Sequence, residues 1–205
     1  MTATQALYLV SDFCPGKTIL WHAGASAVST AGIQLSCAGG AKAVYVTASS
    51  QEKLDFCTDV LGATEGFNYK KQDFSKEIDR VTDGKGVDVI IDFVGQSYIQ
   101  KNLDCVAKDG CIIAVGFLSG TIAKEVDLSA LTRKRIMYRG STLRARDEAY
   151  QAKLCAEFVK DALPKLKDRS FKIFVEAVFS WEKIIDAHKL MESNKTKGKI
   201  ICTIN

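Results

Sequence analysis

Two rhythms of apolar residues alternate along this chain. Short, nearly continuous apolar runs predict buried strands, and runs with apolar residues every three or four positions predict helices. "ATQALYLVSDF" (3–13) predicts a helix without a cap, and Pro15-Gly16 predicts a turn. "KTILWHAG" (17–24) follows as a strand and "AVSTAGIQLSCA" (27–38) as a helix. Val28, Ala31, Gly32 and Leu35 share one face of that helix, where small side chains would permit close packing on a sheet. Further strands are expected at 41–49, 66–69, 86–95, 111–117 and 135–142. Helices are expected between them at 50–63, 73–84 and 97–110. Gly62 should stop the first of these three helices, and Ser75 should cap the second. The 86–95 run, "GVDVIIDFVG", has the unbroken apolar character of a strand covered on both faces.

Strand and helix alternate with short connections, which gives a parallel sheet with helices on both sides. The expected fold class is therefore α/β, a doubly wound Rossmann-like sheet. It is followed by a tail of different character: a helix near 147–163, the segment "FKIFVEAVF", a helix at 181–194 and a strand at 197–205. This strand-helix-strand tail does not extend the alternation. Three segments are expected: a linking helix over 1–14, a dinucleotide-binding domain over 15–145 and the tail over 146–205.

Composition narrows the classes. A chain of 205 residues with 47% hydrophobic and 25% charged residues is an ordinary globule. A net charge of +4 is too mild to mark a nucleic-acid binder. No apolar run approaches the roughly 20 residues of a membrane span, and no signal-peptide pattern opens the chain. The seven cysteines include no C-x-x-C pair, and there are only two histidines. That argues against a metal site and a disulfide framework, and for reduced thiols in the cytoplasm.

The chemistry concentrates at "HAGASAVSTAGIQL" (22–35), where the first strand turns into the first helix of the alternation. A helix N-terminus there offers free N–H groups and partial positive charge to a pyrophosphate. Gly24 is present, but Ala27 and Ser29 occupy positions where the dinucleotide fingerprint prefers glycine. Taken alone, the turn is either a cofactor cradle or a plain junction. At the end of the second strand, "TASSQEK" offers Ser49, Ser50 and Lys53 rather than a carboxylate. If a dinucleotide binds, that favours NADPH over NADH; the alternative is a capped helix with a solvated lysine.

"HAGASAVSTAGIQL", "TASSQEKL", "LGATEGFNYKKQDF", "GKGVDVIIDFVG", "KDGCIIAVGFLSG", "GSTLRARD" and "AHKLMESNKTKGKI" occur in this order. Together they resemble the cofactor-binding part of zeta-crystallin-like quinone oxidoreductases, the zinc-independent branch of the medium-chain dehydrogenase/reductase superfamily. The resemblance covers essentially the whole chain. It implies that Lys53 and Tyr69 hold phosphates of NADPH and that Ala25, Ser26, Ala27 and Val28 lie under the pyrophosphate. It implies that Gly95, Gly116, Phe117 and Leu118 line the path to the nicotinamide, and that Leu143 lies near the ring. It implies that the loop around Thr196 closes over the cofactor. The departures at Ala27 and Ser29 bear on how tightly the pyrophosphate is held. The resemblance also implies a GroES-like catalytic domain outside this chain. The tail would pack on that domain, and apolar surface on the first helix and the tail would otherwise be exposed.

No residue here is assigned as a catalytic acid or base. His22 is expected to be a satisfied structural histidine, and His188, with Ile184, Ile185 and Met191, a core or interface residue. Asp92 is expected to bond nearby backbone, while Cys57 and Cys111 are expected in the core. The sixth strand, at a sheet edge, invites pairing with a second copy, and the resemblance implies a homodimer there. The functional expectation is an NADPH-binding part of an enzyme that passes hydride to a quinone or conjugated carbonyl. A non-catalytic NADPH-binding or dimerisation module is the alternative. Short-chain reductases need Tyr-x-x-x-Lys, which none of the six tyrosines supplies.

Overall fold

The apolar runs become strands because helices cover both of their faces. In the computed structural model, which describes residues 1–204, six strands form one parallel sheet. They are Thr18–Trp21 (β1), Ala43–Ala48 (β2), Glu65–Asn68 (β3), Val87–Asp92 (β4), Val106–Ala114 (β5) and Met137–Gly140 (β6). Their order is β3-β2-β1-β4-β5-β6, that of a Rossmann sheet. Side chains alternate across it. Ile19, Trp21, Val89 and Ile91 join one core, while Leu20 and Ile90 join the other. The register sets Trp21 between Val46 and Ile91.

The first core is covered by Ala27–Ala38 (α2), by Gln51–Asp55 (α3) with its wide-turn continuation Phe56–Val60, and by the chain's first helix. That helix begins as Thr2–Thr4 (α1) and continues in wide turns over Gln5–Val10, where the Ser11 amide reaches back to the Ala6 carbonyl. Ala3, Ala6, Leu7 and Val10 form its buried stripe. The expected exposure of this helix is therefore corrected: its apolar face packs into the sheet's own core. Phe74–Val81 (α4) and Ile99–Cys105 (α5) cover the second core. Ser129–Arg133 (α6) leads into β6, which lies at the sheet edge as expected and is exposed along its length.

Several local expectations change. The cap of α4 is Asp73, whose carboxylate accepts from the Ser75 amide and hydroxyl at 3.1 and 2.8 Å. Ser75 is thus the capped residue and not the cap. On α2 the buried positions are Ser29, Thr30, Gly32, Ile33, Leu35 and Ser36, and Ala31 faces outward. The helix expected to 110 ends at Cys105. Val106 already pairs with Val87, and residues 107–110 bulge before Cys111 pairs with Val89.

In the tail, Glu148–Asp161 (α7) is followed by an unexpected short helix, Leu163–Lys167 (α8). Val175–Ser180 (β7) and Lys199–Thr203 (β8) flank Ile184–Glu192 (α9) and pair parallel with each other in a separate sheet. Asn205, the end of the expected last strand, lies outside the described residues. His188 is exposed, as are Ile185 and Met191, so of the core or interface position expected for it the core half is corrected. Cys57 and Cys111 are buried, and burial pushes their thiols up to about 12 and about 11. Among the described residues no helix is long and apolar enough to cross a membrane.

A candidate dinucleotide cleft

The strand order reverses between β1 and β4, and a crevice opens beyond their carboxyl ends. The turn after β1 is built from small residues under tight restraint. Ala23 takes a left-handed φ of +49°. Gly24 sits so close to β2 that a Cβ would lie 2.9 Å from Val46 Cβ and 3.0 Å from Cys57 Sγ. Its amide donates to the Thr47 carbonyl at 2.9 Å. Ser26 caps α2: its hydroxyl accepts from the Ser29 amide, while Ser29 Oγ donates to the His22 carbonyl at 2.8 Å. The serine that stands in place of a glycine therefore ties the turn from below, fully buried. Ala27 faces a separate apolar cavity toward α1 and Phe174. Neither departure from the fingerprint projects into the crevice. The amides of Ala27 and Val28 have no acceptor among the described residues.

Ala25 and Ser26 share a cleft of about 180 Å³ with Ser49, Lys53, Tyr69, Leu118 and Thr196. The other expected residues lie elsewhere. Gly24 forms the wall behind the turn, and Val28 packs against the core. Ser50 caps α3 by accepting from the Lys53 amide. Gly95, at φ +81°, lies against Phe117, where a Cβ would approach the ring to 2.6 Å. Gly116 lies beside Phe93 on the same loop pair. Leu143 lines a different hollow with Met1 and Leu154 and is not brought into the cleft. Sequence reasoning missed Ala23, Ala48 and Asn194, which complete the lining.

A strap from the tail crosses the cleft. The Gly198 amide donates to the Ala25 carbonyl at 3.0 Å, and Gly198 bridges to Ser26. Lys53 Nζ donates to the Asn194 carbonyl at 2.5 Å, and Lys197 Nζ to Glu52 Oε1 at 2.6 Å. Burial lowers the Lys53 pKa from its ordinary value.

A family model described as zinc-binding dehydrogenase matches residues 27–159, from the start of α2 to within α7. The chain belongs to this zinc-binding dehydrogenase family. A quinone oxidoreductase-like protein 2 homolog of Nematostella vectensis is 31% identical over 98% of this chain and 54% of its own length. A 2-haloacrylate reductase of Burkholderia sp is 30% identical over 98% of this chain and 60% of its own. The chain thus spans little more than half of these relatives. A quinone oxidoreductase structure from Pseudomonas syringae pv. Tomato DC3000 superposes with a TM-score of 0.82 at 28% identity, covering 98% of this chain and 61% of that one. The matched region is the nucleotide-binding part of the family fold. Among the described residues, no group of three or more His, Cys, Asp or Glu side chains is placed to hold a metal.

Beneath this family's crevice runs a buried polar chain that crosses the switch point. Thr47 Oγ1 meets His22 Nδ1 at 3.0 Å, and His22 Nε2 meets Asn102 Oδ1 at 2.8 Å. Asn102 Nδ2 donates to Asp92 Oδ2 at 3.1 Å. Asp92 Oδ1 accepts from the amides of Val94 and Gly95, at 2.7 and 3.2 Å. All four side chains are fully buried. An amide oxygen can only accept, so His22 Nε2 carries the proton and Nδ1 accepts from the threonine. The imidazole is satisfied while neutral, in keeping with the structural role expected of it. Tyr98 packs edge-on against its ring, with centroids 4.7 Å apart.

Burial lowers the pKa of His22, against smaller opposing effects of Asp92 and Asn102. Unfolding therefore lets the ring take up a proton more easily. The stabilisation is complete above the unfolded value of about 6.5 and is lost as pH falls below it. Thermal melts from pH 7.5 to 5 should show a falling Tm, and His22→Gln should flatten that slope.

Proposed function

We propose that this chain holds NADPH in the cleft between the β1–α2 turn, α3 and the strap. The observation that carries this reading is the joint lining by Ala25 and Ser26 on one side and by Ser49, Lys53 and Tyr69 on another. Small residues at the turn let backbone approach a pyrophosphate, and the N-terminus of α2 offers it unpaired amides. Gly24 holds the turn close against β2, since a Cβ there would have to displace Val46. A lysine, a serine and a phenol, with no carboxylate in the lining, suit a 2′-phosphate better than a bare ribose. Lys53 would exchange the Asn194 carbonyl for phosphate oxygens. Gly95, Gly116 and Phe117 would border the path toward the nicotinamide.

When bound, the nicotinamide supplies a hydride, which in the whole protein reduces a quinone or conjugated carbonyl. This chain contributes binding and orientation. His22 has both ring nitrogens engaged in the buried chain and is not free to bind a metal. The tail over 146–205, with Ile173, Val178 and Ile204 exposed, would pack against another part of the whole protein, and the exposed edge of β6 would pair with a second copy. Cysteines that are free among the described residues suit a reducing cytoplasm.

Calorimetric titration of the chain with NADPH and NADH tests the reading. NADPH should bind more tightly. Lys53→Ala should weaken NADPH by about tenfold or more, the scale of one charge-assisted hydrogen bond, and change NADH little. Absence of binding by either cofactor would remove the proposal. Quinone-dependent oxidation of NADPH by the chain alone would separate an enzyme from a binding module.

A further inference from the structure

Glu52 lies in the first turn of α3, four residues beyond the end of β2 and outside the cleft lining, next to Lys53, which lines it. Here the carboxylate is occupied. Lys197, 145 positions along the chain, donates to it at 2.6 Å. Lys197 is the anchored partner. Its amide donates to Glu176 Oε2 at 2.9 Å, and its ammonium lies 5.8 Å from the centroid of the Phe56 ring. Its side chain is 30% exposed against 77% for Glu52, so the more exposed carboxylate is paired with the more sheltered cation. Both groups act on Lys53, as do Glu176 and Lys70. Three lysines thus face two glutamates at this end of the cleft. Without Lys197 the charges would balance, and Glu52 would lie unpaired beside the residue after it, Lys53.

We infer that Lys197 is a specificity-determining residue: by holding Glu52 it shields an incoming 2′-phosphate on Lys53 from that carboxylate, an effect that NADH, which lacks this phosphate, does not feel. The inference rests on the NADPH reading above. It adds that selectivity is set across the strap, by a residue that does not line the cleft.

The test is calorimetric titration of the 205-residue chain and of Lys197→Met, Lys197→Gln and the Lys197→Met/Glu52→Gln pair with NADPH and NADH. Thermal melts would confirm that each variant is folded. Both single variants should lose about tenfold in NADPH affinity while NADH binding holds. The double variant should recover most of the loss. If the unaltered chain binds neither cofactor, the NADPH reading itself falls. If it binds NADPH and the single variants match it within about twofold, only the inference falls. Equal weakening of both cofactors would make Lys197 a structural fastener of the strap and overturn the inference. Selective loss of NADPH without recovery in the double variant would mean direct phosphate contact, which also overturns the shielding role.

Discussion

A Gly32→Val variant is expected not to reach a stable native state, and Gly32→Ala to lose about 1–3 kcal/mol despite improving the helix. Gly32 lies on the face of α2 that presses on β1. A Cβ built there falls 2.4 Å from both Cζ2 and Cη2 of Trp21. The ring has no room to move. It is fully buried, and its Nε1 donates to Ser36 Oγ at 3.0 Å, while Ser36 Oγ donates to the Gly32 carbonyl at 2.7 Å. Helix propensity acts the other way, since alanine in a helix interior is worth about 1 kcal/mol over glycine. The overlap is more than 1 Å inside ordinary carbon contact, so the steric cost wins. With valine the cost grows to a size comparable with the roughly 5–15 kcal/mol that holds a domain together. Chemical denaturation followed by circular dichroism would measure both variants. A Gly32→Ala protein more stable than the original would refute the close-packing account. Recovery in Gly32→Ala/Trp21→Phe would support it, because the smaller ring vacates the space.

What was legible in the sequence had local causes. The strands of the sheet follow from apolar runs, and α2 runs from Ala27 to Ala38 as its pattern and its start after Ser26 imply. Gly62 stops its helix with a left-handed φ of +85°. What was not legible depends on partners distant in the chain. The buried face of α2 includes Ile33 and excludes Ala31, because Trp21 below and the first helix beside it decide which way the helix rolls. The cap of α4 falls to Asp73 because its carboxylate reaches the Ser75 amide, a choice between two capping residues that spacing alone leaves open. In the sequence the turn stands out by its missing glycines at Ala27 and Ser29. The left-handed residue is Ala23, and no side-chain signal marks it. Asn194 enters the cleft through the Lys53 contact, which spans 141 positions, beyond the reach of any local pattern.

The second large effect belongs to the floor of the crevice. Asn102→Leu should cost about 3–5 kcal/mol, the combined penalty of leaving a buried N–H without an acceptor and a buried carboxylate oxygen without its donor. Asn102 is the only side chain between His22 and Asp92 in the chain of hydrogen bonds, and it serves each with the group that residue requires. Leucine has a similar volume but leaves His22 Nε2–H without an acceptor and one Asp92 oxygen without a donor, both beyond the reach of water. The amides of Val94 and Gly95 would remain on the other oxygen. Thr47→Val, at the far end, removes one neutral hydrogen bond and should cost only about 1–2 kcal/mol. The charge can be isolated from the packing. Asp92→Asn in the Asn102→Leu background removes the stranded charge, so the double variant should be more stable than Asn102→Leu alone. Urea denaturation of the four proteins decides the matter. Asn102→Leu within about 0.5 kcal/mol of the original would mean that the floor is held by apolar packing alone. A double variant less stable than the single one would mean that the cost lies in shape and not in charge. The expected order follows because both sides of the switch point are tied through this chain: the β1 turn through His22, and the β4 turn through the carboxylate that holds two of its amides.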